Sequence, residues 1–99
     1  MAEKEAALLV IGRRERVLDR VRAILVSALR VERPASEIDP DVALFGTGLG
    51  LDSVDAVELL VSLETELGVR IPDASVARPS LRTVNSLVDL VLAQSKESP

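Results

Sequence analysis

One serine in this chain has the setting of a reactive group. In Gly48-Leu49-Gly50-Leu51-Asp52-Ser53-Val54-Asp55 a glycine-rich loop runs through Asp-Ser into a strongly amphipathic helical pattern. That order of residues places the Ser53 hydroxyl at the mouth of a helix. Between Pro34 and Val69 there are eight carboxylates (Glu37, Asp39, Asp41, Asp52, Asp55, Glu58, Glu64 and Glu66) and no Lys or Arg. A single hydroxyl in so negative a stretch reads as an attachment point, not a catalytic residue. The chain has no His and no Cys, which removes the imidazole base, the thiol nucleophile, disulfides and the usual zinc ligands. Its two lysines, Lys4 and Lys96, fall near the ends. Any chemistry in which the protein takes part therefore needs a borrowed reactive group.

The elements that position Ser53 follow from composition and period. Ninety-nine residues make one domain with a single core, and with Phe45 the only aromatic that core must be aliphatic. Such a core suits helices better than sheets. Apolar residues repeat with helical period three times. Val17, Val21, Ile24, Leu25 and Ala28 mark a first helix from about Arg14 to Val31, with Arg13, Arg14, Arg16, Arg20, Arg22 and Arg30 mainly on its other side. Ala56, Leu60, Leu63 and Leu67 form the inward stripe of a second, which starts at Asp52 or Ser53 and stops at Gly68. Val84, Leu87, Val88, Val91 and Leu92 mark the last, with Thr83 as its N-cap.

Pro34, Pro40, Gly46, Gly48 and Gly50 keep the segment from Glu32 to Leu51 out of helix, and Ile38, Val42, Leu44, Phe45 and Leu49 are spaced to pin it to the bundle. Ile71 to Ala77 can form one short helical turn before Pro79. The expected fold is an all-α four-helix bundle with three longer helices, a short third one and a long ordered loop between the first two. Residues 13–95 form the domain, with flexible extensions at 1–12 and 96–99.

Charge divides the chain. Residues 1–35 carry eight basic and five acidic side chains, net +3; residues 36–99 carry four and eleven, net −7. The second part is a poor surface for nucleic acid, which requires a positive one, and a good complement to a basic protein surface. No apolar run reaches the length of a membrane span, and Ala6 to Ile11 is too short for a secretory signal, which points to a cytoplasmic protein without stable membrane insertion.

Leu44-Phe45-Gly46-Thr47-Gly48-Leu49-Gly50-Leu51-Asp52-Ser53-Val54-Asp55-Ala56-Val57-Glu58-Leu59-Leu60, followed by Leu67-Gly68-Val69-Arg70-Ile71-Pro72-Asp73, resembles the acyl carrier protein family over roughly Arg14 to Ala93. The resemblance implies that a phosphopantetheinyl transferase moves 4′-phosphopantetheine from coenzyme A onto Ser53. The arm would then hold acyl groups as thioesters for acyl-transferring and condensing enzymes of fatty acid, polyketide or specialised lipid biosynthesis. It further implies that Asp52 helps dock the transferase and that Asp55, Glu58 and Glu64 belong to an acidic recognition surface. A helical wheel supports that surface independently. With Val54 at zero, Val61 falls at about 340°, Glu58 at about 40° and Asp55 at about 100°, while the inward stripe centres at about 200°. Val54 and Val61 should then be exposed as an apolar centre with a charged rim. Leu51 before Asp-Ser, the basic Arg78-Pro79-Ser80-Leu81-Arg82 link and the arginine-rich first helix depart from the usual pattern and suggest a specialised stand-alone carrier, which is expected to be a monomer.

Plainer readings stand beside these. Ser53 could be a helix cap or a first-turn serine, the carboxylates and arginines solvated faces, the valines ordinary surface residues and Phe45 the loop's anchor in the core. A carrier of amino acids or aryl acids would share the fold. So would an unmodified adaptor that uses the acidic helix only for docking. Leu60, Ile71 and Val76 could shelter a bound acyl chain.

Overall fold

The computed structural model describes residues 3–71 and 77–94, with side chains from residue 12 onward. It is all-helical: α1 (Glu3–Ser27), α2 (Ser53–Leu67) and α3 (Val84–Gln94), with 3-10 turns at Ala35–Glu37 and Arg78–Ser80. Among the described residues there is no strand, only isolated bridges pairing Ala43 with Thr83 and Phe45 with Leu51. No described helix is long and apolar enough to cross a membrane. Positions 72–76, where the pattern predicts most of the short third helix, and the expected tail at 96–99 lie outside the described residues.

α1 supports the bundle, packing on α3, on α2 and on the first 3-10 turn. It begins eleven residues before the predicted Arg14, so the stretch read as a flexible extension is helical from Glu3. Glu3-Lys4-Glu5-Ala6-Ala7-Leu8-Leu9 consists of strong helix formers with acids in the first turn, and nothing in it breaks the helix. At the other end α1 stops at Ser27, four residues before the predicted Val31. There the Val31 N–H donates back to the Leu25 carbonyl at 3.1 Å, and Arg30 takes φ 57°, a left-handed conformation costing about 1–2 kcal/mol in a residue with a side chain.

The core is aliphatic, as composition requires. Val21, Ile24 and Leu25 of α1 meet Leu59 and Leu63 of α2 and Val84, Leu87, Val88 and Val91 of α3. Ile38, Leu44 and Leu51 enter it from the long loop. Phe45, read as the loop's core anchor, is only partly buried; its neighbour Leu44 is the fully buried residue. Leu44→Ala should therefore destabilise the fold by about 2–5 kcal/mol, readable in urea unfolding, because a rigid loop cannot collapse into the space left.

The arginines of α1 are not a plain solvated face. Arg14 donates to the Asp89 carboxylate at 2.6 Å and to Asn85 Oδ1 at 3.1 Å, and the Asn85 amide donates to Asp41 at 2.8 Å. One chain of contacts thus joins α1, α3 and the loop. Arg22 donates to the Ile38 carbonyl at 2.9 Å, and Arg20 to the Glu66 carbonyl at 2.9 Å, where a cation also suits the C-terminal end of α2.

The loop is held to α3 by backbone bonds. The Leu44 N–H donates to Arg82 O at 2.9 Å, Val84 N–H to Val42 O at 3.3 Å and Asn85 N–H to Pro40 O at 2.7 Å. Thr83 caps α3, its hydroxyl accepting the Ser86 N–H at 3.1 Å.

Candidate functional site

The loop and α2 meet at Ser53. The Leu51 N–H donates to Leu44 O at 2.9 Å and the Leu51 side chain is buried, so the unusual leucine before Asp-Ser anchors the loop two residues ahead of the serine. Gly48 has a comparable internal reason: its Cα lies so close to the Ala43 backbone that no side chain fits. The glycine is thus required by packing within the chain.

Asp52 is the N-cap of α2. Its carboxylate accepts the Asp55 N–H at 2.8 Å, and the Asp55 carboxylate accepts the Asp52 N–H at 3.0 Å, a reciprocal capping box. Of the plain readings of Ser53, the cap therefore falls away and the first-turn serine stands. Ser53 is the first helical residue, exposed, and among the described residues its hydroxyl makes no hydrogen bond. A hydroxyl free of structural duty, beside the N–H groups of a helix start, suits a phosphodiester, because an anion there is stabilised by about 0.3–1 kcal/mol.

Along α2 the face beside the serine is apolar and open. Val54 is 72% exposed, Val57 63% and Val61 54%, against full burial for Leu59 and Leu63. Val54 and Val61 stand where the wheel put them, and Val57 completes the i, i+3, i+7 ridge that sequence reasoning missed. Leu59, not Leu60, is the central buried residue, which turns the inward direction by about 40° from the predicted stripe. Leu60 and Ile71 are half-buried, and Val76 lies outside the described residues.

The carboxylates divide by environment. Glu58 is exposed, whereas Asp55 is half-buried in the capping box and Glu64 accepts the Ile71 N–H at 2.9 Å, fastening the chain that turns at Gly68. Nor is the surrounding field uniformly negative. A cleft of about 500 Å³ beside the glycine loop is lined by Arg30, Glu32, Arg33, Gly50, Leu51 and Asp55, so folding returns two guanidiniums to a stretch that contains none in sequence.

Fold and site together define a small helical domain with an exposed serine hydroxyl, unbonded among the described residues, at the start of α2. A family model described as "Phosphopantetheine attachment site" matches residues 19–91. The acyl carrier protein of Cyanidioschyzon merolae (strain NIES-3377 / 10D) is 39% identical over 82 residues, 83% of this chain and 85% of that one. The acyl carrier protein of Thermosynechococcus vestitus (strain NIES-2133 / IAM M-273 / BP-1) is 37% identical over 75 residues, 76% and 86% of the two chains. This chain belongs to the acyl carrier protein family, a family of carriers and not of enzymes, whose covalent cofactor is 4′-phosphopantetheine.

Proposed function

We propose that Ser53 is the attachment residue and that the chain, through a unit spanning residues 13–95, carries acyl intermediates for enzymes of fatty acid, polyketide or specialised lipid biosynthesis. The observation that carries this reading is the free Ser53 hydroxyl beside a capping box that Asp52 and Asp55 complete without it. In loading, Ser53 Oγ gives up its proton and bonds to the pantetheine-side phosphorus of coenzyme A, while the P–O–P bond of the diphosphate breaks and adenosine 3′,5′-bisphosphate leaves. The arm supplies the thiol that the sequence lacks, and acyl groups are held on it as thioesters.

The docking surface we infer has Val54, Val57 and Val61 as its centre, with Asp52, Asp55, Glu58 and Glu64 around it. It suits transferases and condensing enzymes with basic surfaces, and a single copy working in the cytoplasm suffices. Val57→Lys places a charge in the centre of that ridge. Transferase kcat/KM should fall about 5- to 30-fold while folding stability stays within about 0.5 kcal/mol, because Val57 is mostly exposed. An unchanged kcat/KM would remove the ridge from the docking surface.

The function itself is tested by intact mass after incubation with coenzyme A and a promiscuous phosphopantetheinyl transferase. One adduct, located on Ser53 by fragmentation, is the expected result. Folded protein that gains no mass would favour an adaptor that docks without being modified.

A further inference from the structure

The cleft between the end of α1 and the glycine loop is not explained by attachment or docking. It is an open depression of about 500 Å³ whose lining includes Leu49, Gly50 and Leu51 ahead of Ser53 and Asp55 after it. Its polar groups are of both kinds: the guanidiniums of Arg30 and Arg33 donate, and the carboxylates of Glu32 and Asp55 accept. Among the described residues neither arginine side chain makes a hydrogen bond or ion pair, whereas Arg14, Arg20 and Arg22 all do. Arg30 is also the only described non-glycine residue with positive φ, 57°, at a position after a helix end that glycine fills without strain.

We propose that this cleft is the resting place of the arm, an inference that rests on Ser53 being its point of attachment. A 4′-phosphopantetheine arm carries a phosphodiester, one hydroxyl and two amides, and so needs both donors and acceptors. Arg30 and Arg33 bind its phosphate and carbonyl oxygens; Glu32 and Asp55 accept from its amide and hydroxyl hydrogens. Arginine at position 30 is accounted for by what it binds, since the backbone there would be better served by glycine. Asp55 then acts both in the capping box and as a wall of the cleft, which links the arm's position to the start of α2.

The absence of cysteine makes the test selective, because the arm's thiol is the one thiol in the loaded protein. Loading is first verified by mass, and a maleimide nitroxide label is then placed on that thiol. Amide signals of residues 29–33 and 49–51 should broaden at least several-fold more than those of α3. In Arg30→Gly/Arg33→Gln, whose substitutions suit a left-handed position and an exposed one, that excess should vanish with thermal stability unchanged or raised. In unlabelled protein the side-chain Nε–H signals of Arg30 and Arg33 should move on loading, and the 31P signal should differ between wild type and the double variant. A verified adduct with uniform broadening and unmoved arginine signals would overturn the resting place and leave the attachment reading intact. Arginine signals moved by inorganic phosphate in the unloaded protein but not by the arm would also overturn it. No adduct at all would remove both.

Discussion

Ser53→Ala is expected to abolish loading altogether while leaving the fold untouched. Under conditions that convert the wild type fully, the variant should gain no mass, and its urea unfolding midpoint should lie within the range of a neutral surface change, about 0.5 kcal/mol. The two halves of this prediction have one physical origin. The cap of α2 belongs to Asp52, the Ser53 hydroxyl bonds to nothing described, and alanine is a slightly better residue than serine inside a helix. Asp52→Ala should behave in the opposite way. It removes the acceptor for the Asp55 N–H and costs about 0.5–2 kcal/mol, but it retains the nucleophilic oxygen, so loading slows without stopping. If Ser53→Ala still acquired the adduct, the attachment residue would lie elsewhere. If it unfolded, the hydroxyl would have a structural part that the capping box does not leave for it.

What could be read from the sequence, and what could not, divides by the range of the interaction. The start of α2 at Asp52 or Ser53 was legible because its signal is local, but the capping box that makes Asp52 and not Ser53 the cap was not read from it. The aliphatic stripes of α1 and α3 were legible because their period is local too. Adjacent Leu59 and Leu60 were not separable by period, since both sit within the apolar arc; contact with the rest of the core selects Leu59. The arginines of α1 find their partners 75, 46 and 16 residues away, so only the fold could distinguish the stapling Arg14, Arg20 and Arg22 from a solvated face. Glu64 sits at about 280° on the wheel, at the edge of the inward half, and its bond to Ile71 depends on the chain turning at Gly68, where φ is 66°. The negative field around Ser53 was read from a window free of basic residues; Arg30 and Arg33 stand just outside that window in sequence and inside it in space.

The glycine loop supplies the second large effect. Gly48→Ala should destabilise the protein by about 2–5 kcal/mol, a large share of the 5–15 kcal/mol that holds a domain of this size together. A Cβ on Gly48 would stand 2.0 Å from the Ala43 carbonyl oxygen and 2.7 Å from its carbon. Both are backbone atoms, so no rotamer change relieves the clash. The same carbonyl accepts the Leu49 N–H at 2.8 Å, and two residues on the Leu51 N–H is bonded to Leu44 O. Moving either strand of the loop to make room therefore loosens hydrogen bonds worth about 0.5–1.5 kcal/mol each, on top of about 1–3 kcal/mol of overpacking. Gly46→Ala is the proper comparison, because a Cβ there meets nothing within 4 Å and only its φ of 66° opposes the change. Its cost should be about 1–2 kcal/mol. If the two variants unfolded at the same urea concentration, close approach at Gly48 would not be what shapes the loop. With the expected order, Gly48→Ala should also slow the loading of Ser53 at temperatures where the protein is still folded, since Leu51, which the loop holds in the core, fixes where α2 begins.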